Sequence, residues 1–287
     1  MIKFLAKGLI RDRSRSLFPL LTIIITVTLV IFGIGFMEGA MNNFLQSTAV
    51  ISSGHVKVVT KAYEKESSQL PNDLALFETN KIIQNLSDLY PNYFWTPRIT
   101  FGGLLDTPNE DGETKEQGPV FGIGIDFHSK TSRQIEIWEL EKYLLHGNLP
   151  KNTNDALIST KLAKQLSVNV GNTVTLISTT MDNAFTTYNF EITGIFNLNK
   201  GQVDRQMMLV DISGARQALG MEGAASEILG YHQSLYYNDN EATSMRNDFN
   251  LTISDSITKV LRDEASYDAL SYMNGWNMIN DLSLIHI

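Results

Sequence analysis

Residues 18–37 read FPLLTIIITVTLVIFGIGFM, twenty positions without Asp, Glu, Lys, Arg or His. An α-helix rises about 1.5 Å per residue, so this run spans about 30 Å, the hydrocarbon thickness of a bilayer. Lys3, Lys7, Arg11, Arg13 and Arg15 precede it, opposed only by Asp12. Basic residues stay on the cytoplasmic side of a span, which puts the N-terminus inside and everything beyond Met37 outside. A cleaved secretory signal would have an apolar core of about 7–15 residues and a small-x-small site. This run is longer and closes in Phe36-Met37-Glu38-Gly39-Ala40, where that pattern is missing. A buried helix of a soluble protein is seldom uncharged on every face. The reading is a retained anchor in the cell (inner) membrane with a large extracytoplasmic (periplasmic) body.

Outward from the span, residues 2–11 (IKFLAKGLIR) set Ile2, Leu5, Leu9 and Ile10 against Lys3, Lys7 and Arg11. That pattern suits a short amphipathic helix on the inner surface of the bilayer, among its lipids. On the far side, Met37, Met41, Phe44, Leu45 and Thr48 keep helical spacing, so the helix is expected to run on as a stalk. Gly35 and Gly39 form a GxxxG pair with Gly33 nearby, which allows a second membrane helix to approach closely. Ser53-Gly54 ends the helix.

The whole chain of 287 residues has net charge −8; its first sixteen residues carry +4 and the remainder −12. An acidic body lacks the basic face that nucleic-acid binding needs. It has no cysteine, so disulfides and thiol chemistry are excluded and the core alone must hold the fold. His55 to Val59 reads as a strand, Leu74 to Leu89 as a helix stopped by Pro91, and Phe94 to Leu105 as a strand. Thr107 to Gly118 (TPNEDGETKEQG) reads as a polar loop before a strand over Val120–Ile125. Further strands are expected over Ala156–Ile158, Thr173–Ile177, Phe190–Phe196, Met207–Val210 and Glu227–Tyr237. Helices are expected over Thr160–Leu166, over Ile212–Leu219 closed by Gly220, and near Glu241–Phe249. Gly171-Asn172, between two strand-like runs, fits a tight turn, and Gly194 inside a strand fits a bulge or a close approach. The class is α+β.

Catalytic and cofactor signatures are missing. No GxxxxGK[ST] occurs, so this chain has no Walker loop. Phe121-Gly122-Ile123-Gly124-Ile125 has two glycines of a dinucleotide turn without the third or a following helix, and suits bulges instead. Gly112 at the sixth position of an EF-hand would put Thr107 first and Gly118 twelfth, where Asp and Glu are required. His55, His128, His146, His232 and His286 are scattered without metal-ligand spacing. No GxSxG occurs, and neither Asp126 nor Asp204 has a recognisable catalytic partner. No catalytic, cofactor-binding or metal residue is assigned.

Three stretches in order carry a resemblance: the opening MIKFLAKGLIRDRSRSLFPLLTIIITVTLVIFGIGFMEGAM with Ser53-Gly54-His55-Val56-Lys57-Val58 and Ala62-Tyr63; Ile158-Ser159-x-Lys161-Leu162-Ala163-x-x-Leu166 with Val170-Gly171-Asn172-Thr173-Val174-Thr175; and Phe190 to Phe196 with Asp204, Leu209-Val210-Asp211 and Ala215 to Met221. The set resembles the permeases of the MacB/LolC/LolE (FtsX-like) class of ABC transporters, in particular the lipoprotein-release-like branch. The resemblance implies a cytoplasmic N-terminus (1–17), a transmembrane helix (18–37), a stalk (38–52) and a MacB-like periplasmic core domain. In that domain a porter-like part (53–150 and 212–275) carries a β-rich insert (151–211). It further implies pairing with a second permease copy or paralogue, a separate cytoplasmic ABC ATPase, and a lipoprotein or amphiphilic cargo. Residues 276–287 resemble a truncated lead-in to a second membrane helix, with the C-terminal membrane helices of the family missing. A single-span receptor with an extracytoplasmic ligand- or partner-binding domain is the alternative, although only about seventeen residues precede the span.

Overall fold

The computed structural model describes residues 13–48, 51, 53–108, 114–129, 132–198, 205–250 and 271–275. The amphipathic segment expected over 2–11, Asp204, His286 and the stretch 276–287 lie outside the described residues. The chain divides into two units, one up to Thr48 and one from Ala49 onward.

The first unit is helix α1 (Arg13–Thr48), 36 residues long. Its segment Leu17–Met41 contains an 18-residue stretch of mean hydropathy 2.6, none of whose residues is buried. Phe18, Phe32 and Met37 expose 78, 69 and 71% of their area. Thr22 and Thr26, two of the three threonines of the span, donate to the carbonyls of Phe18 and Thr22 at 2.9 and 2.7 Å. That back-bonding satisfies both groups within the helix, as an apolar surround demands.

The second unit is a mixed sheet with helices on its faces. Its strands are β1 (Val56–Thr60), β2 (Tyr93–Pro108), β3 (Thr114–Ile125), β4 (Leu144–Gly147), β5 (Asp155–Ser159), β6 (Thr173–Thr179), β7 (Phe185–Phe196), β8 (Met207–Asp211), β9 (Glu227–His232) and β10 (Ser271–Gly275). They run β10-β1-β9-β2-β3-β8-β5-β7-β4, with β6 pairing β2 and β7. The long strand β2 joins the two halves. Tyr93–Arg98 pairs with β9, and Ile99–Pro108 pairs with β3. The helices are α2 (Lys61–Glu66), α3 (Thr79–Leu89), α4 (Gln134–Ile137), α5 (Leu140–Tyr143), α6 (Thr160–Gln165), α7 (Ile212–Leu219) and α8 (Asp239–Asp248).

One device recurs: the last residue of a strand caps the next helix. Thr60 Oγ1, Ser159 Oγ and Asp211 Oδ1 accept from the main-chain N–H groups of Tyr63, Leu162 and Ser213. Each cap satisfies a donor the helix cannot satisfy itself and turns the chain out of the sheet. Gly220 (φ +66) closes α7 as expected. The period of two sorts the core. In β8, Met208 and Val210 join Ala156, Ile158, Leu162 and Ala215 on one face, whereas Leu209 joins Leu157, Trp138 and Tyr231 on the other. A third cluster sets α3 (Ile82, Leu86) and α8 (Ala242, Met245) against Val58, Trp95 and Ile228.

Several expectations need correction. Helix α3 starts at Thr79 rather than Leu74, because Leu76 exchanges two main-chain hydrogen bonds with Ala225 (2.8 and 2.9 Å) and Glu78 sits at φ +50. The stretch Thr107–Gly118 is largely strand, paired down to Pro108↔Thr114. It is polar because residues 114–117 are exposed, not because it leaves the ladder. Strand β9 ends at His232 instead of Tyr237. The strand-like run before Gly171, Val168–Val170, is not a strand; Val168 and Asn169 are irregular and Val170 enters the turn. Gly122 and Gly124 mark no bulge; the β2–β3 register is regular there. They make room for a ring and a helix. A Cβ at Gly122 would lie 2.0 Å from Phe101 Cζ, and one at Gly124 would lie 2.6 Å from the Ala215 Cβ.

Candidate functional site

Gly35 and Gly39 both lie in α1, and a Cβ at either would meet nothing within 4 Å. The Phe32 and Phe36 rings stack at 6.3 Å along the same helix. The glycines therefore leave a shallow open strip beside large exposed apolar groups.

In the body, the chain entering β1 is held by buried polar bonds. Arg98 and Glu227 face each other across β2 and β9. Arg98 Nε and Nη2 donate to Glu227 Oε2 at 3.1 and 2.5 Å, and Nη1 donates to the Ile51 carbonyl at 2.8 Å. Lys57 Nζ lies 3.7 Å from Glu227 Oε1 and 3.9 Å from Glu64. Burial raises the cost of charging Glu227, yet the Arg98 and Lys57 cations more than offset it and hold the carboxyl below its usual range. Burial likewise pulls Arg98 down, and Glu227 more than compensates. The pair thus stays ionised inside the body.

His55, 1% exposed, sits next to this entry. Its Nδ1 accepts the His232 N–H at 3.0 Å, and Tyr231 and Tyr237 present their rings at 5.6 and 5.9 Å. Burial first and His232 second lower its pKa to about 4, so the imidazole is neutral. His128 lies 3.6 Å from the buried Asp211 carboxylate, which caps α7. Among the described residues no three His, Cys, Asp or Glu side chains cluster as a metal site.

Gly171 (φ +92) is the third residue of a turn closed by Asn172 N–H to Asn169 O at 3.2 Å, on the way from α6 to β6. Gly194 lies where the β5–β7 register slips, with Leu157 opposite. A Cβ on Gly194 would come within 2.8 Å of Leu144 and Leu157 and 2.9 Å of the Asn148 carbonyl. Both positions are structural by their surroundings and lie apart from the Arg98 network. Sequence reading missed that network. Its signal was a charge at an inward-facing strand position in each of β2 and β9, legible only once their pairing is known.

Among the described residues, cavities open at two places on the body. One of about 570 Å³ lies over α4 and is lined by His128, Arg133, Gln134 and Glu136 among others. The other, of about 400 Å³, lies between the end of α3 and one face of α8.

Residues 16–270 match the MacB-like periplasmic core domain. The match spans most of the chain, and the chain belongs to this family. Among solved structures, it is similar to the periplasmic region of MacB from Actinobacillus actinomycetemcomitans, with TM-score 0.46 and 12% identity, covering 83% of this chain and 99% of that one. No curated protein matches the chain. Family membership assigns a permease-type role in ABC transport in general, and the family implies partnership with a cytoplasmic ATPase. With the apolar α1 in front, the protein is a membrane protein with an extracytoplasmic domain.

Proposed function

We propose that this chain is the permease subunit of an ABC transporter in which a separate cytoplasmic ATPase drives extracytoplasmic movement or release of a lipoprotein or another amphiphile. The carrying observation is the family match over residues 16–270, with an uncharged span at its head and no Walker loop in the chain. The basic residues before the span favour a cytoplasmic N-terminus. A second permease copy or paralogue packs on α1 through Gly35 and Gly39, and the body divides into porter-like segments (53–150, 212–275) around a β-rich insert (151–211).

Orientation is tested first. The chain has no cysteine, so single cysteines at Ser14 and Ser129 give clean labelling. A membrane-impermeant thiol reagent applied to spheroplasts should label position 129 and not 14; the reverse defeats the topology. Transport is tested by expressing the protein with a cytoplasmic ABC ATPase and following cargo release together with ATP hydrolysis. Release without any ATPase rejects the transporter reading.

A further inference from the structure

The chain entering β1 is fastened to the end of β9 by a side chain. His55 N–H donates to the Gly230 carbonyl at 2.9 Å, an ordinary main-chain bond. The N–H of His232, the last residue of β9, donates instead to a ring nitrogen, His55 Nδ1, at 3.0 Å. Just before the ring, Gly54 stands at φ +67, and a Cβ there would lie 3.0 Å from the Val56 carbonyl and 3.2 Å from Leu229 Cβ. Only glycine makes this joint without strain.

The fastening and a charged ring exclude each other by geometry. An imidazole that accepts at Nδ1 carries its one proton at Nε2, and the buried Nε2 has no hydrogen-bond partner. A second proton can go only to Nδ1. It turns the acceptor into a donor that faces the donor N–H of His232, and attraction becomes repulsion.

The surroundings do not answer that charge. Tyr231 from β9 and Tyr237 from the stretch before α8 meet the ring in T-shaped contacts, and His232 adds a second imidazole. The Tyr237 hydroxyl donates to Asp239 at 2.7 Å, and the His232 ring, set against Tyr93, stands 4.0 Å from Glu241. On β1 itself Lys57 is the charged neighbour, drawn to Glu227 and Glu64, and Arg98 on β2 also holds Glu227. Burial and His232 both favour the neutral ring, in line with a pKa of about 4. We propose that His55 is an acid-released fastener: on taking up a proton its ring leaves Tyr231 and Tyr237 and frees the end of β9 from the entry of β1, while the rest of the sheet unit stays folded. The bond from Arg98 to Ile51 and the β1–β9 pairing over Val56–Val58 do not involve the ring and remain. The inference does not rest on the transport reading.

Amide hydrogen exchange of the full chain in detergent, read by mass spectrometry from pH 7 to pH 4 and corrected for the intrinsic pH dependence, tests this. The peptide carrying the His232 amide, residues 228–237, should lose protection by about a hundredfold over that range, the factor that a shift from 6.5 to about 4 allows. Peptides covering β8 should stay protected throughout. His55→Asn keeps an acceptor for the His232 N–H and cannot charge, so residues 228–237 should stay protected at pH 4 in that variant. If the variant is already open at pH 7, deuterium exchange at the imidazole C2 position of the unaltered chain decides instead, and His55 should titrate near 4. Unchanged protection of residues 228–237, its loss together with that of β8, the same acid opening in a folded His55→Asn, or titration of His55 at the ordinary value overturns the proposal.

Discussion

Helix α1 and the sheet unit are built from the same apolar residue types, used in opposite ways. In α1 the apolar residues surround the axis, and Phe18, Phe32 and Met37 all stay exposed. In the sheet unit they alternate, so that Met208 and Leu209, neighbours in β8, enter different cores and are both fully buried. Polar groups divide likewise: Thr22 and Thr26 bond within their own helix, whereas Thr60, Ser159 and Asp211 bond forward into the next one. One unit is organised for lipid, where the backbone must satisfy itself, and the other for burial of a patterned surface from water. Stability of the sheet unit should therefore respond to single internal contacts, and α1 should respond to contacts with other helices.

The largest effect is expected at the buried ion pair. Arg98→Leu or Glu227→Leu leaves its partner charged and buried, which costs about 3–5 kcal/mol. Replacing both, Arg98→Met with Glu227→Leu, should recover most of that loss, because no orphaned charge remains. Chemical denaturation of the full chain in detergent, monitored by far-ultraviolet circular dichroism, measures all three. A double variant as unstable as the worse single one would show that the pair stabilises through more than mutual neutralisation, for instance through the bond from Arg98 to Ile51.

Next comes acid. His55 is held neutral with a pKa of about 4 against an ordinary 6.5, so the unfolded chain takes up its proton first. Its contribution is complete above pH 6.5 and falls as pH drops from 6.5 to 4. The loss is about 3 kcal/mol at most, with no further loss from this group below that window. His55→Asn keeps an acceptor for the His232 N–H and should flatten that part of the profile. An unchanged slope in the variant would place the acid sensitivity elsewhere. Glu227, whose pKa is lowered, contributes at lower pH, as its pairing is lost by protonation.

A smaller effect is expected at Gly171. A Cβ there meets nothing, so the cost of Gly171→Val comes from φ +92 alone, about 1–3 kcal/mol. Asn tolerates positive φ better than other side chains, so Gly171→Asn should recover part of it. Equal losses for Val and Asn would mean that the turn is sensitive to bulk and not to φ.

What the sequence made legible was local. The anchor follows from twenty uncharged residues, most strands from β-branched runs, and the end of α7 from Gly220. What stayed hidden depended on pairing across long separations. Arg98 and Glu227 are 129 positions apart, and nothing in either segment announces the other. The start of α3 was misplaced because Leu76 is claimed by Ala225, a partner no local pattern could supply. Gly122 reads as a bulge until Phe101 is seen to need its space. The cavity of Tyr90, Tyr93, Glu241 and Asp248 likewise exists only where two distant segments meet.

The smallest effect on stability, and the sharpest test of the contrast, belongs to Gly35 and Gly39. A leucine at either position enters open space, so it meets no clash inside the chain. Leucine is also a better helix former than glycine by about 1 kcal/mol, so the span itself should not weaken. Unfolding of the sheet unit should move by no more than about 0.5 kcal/mol. Transport is a different readout. If another membrane helix packs on the glycine strip, Gly35→Leu and Gly39→Leu force the two apart, and cargo release by the assembled full-length transporter should fall while the protein still folds and inserts. ATP hydrolysis measured in the same preparation separates lost coupling from lost assembly. Full release in both variants would leave α1 as an anchor only, and the response to neighbouring helices would have to be sought on another face of it.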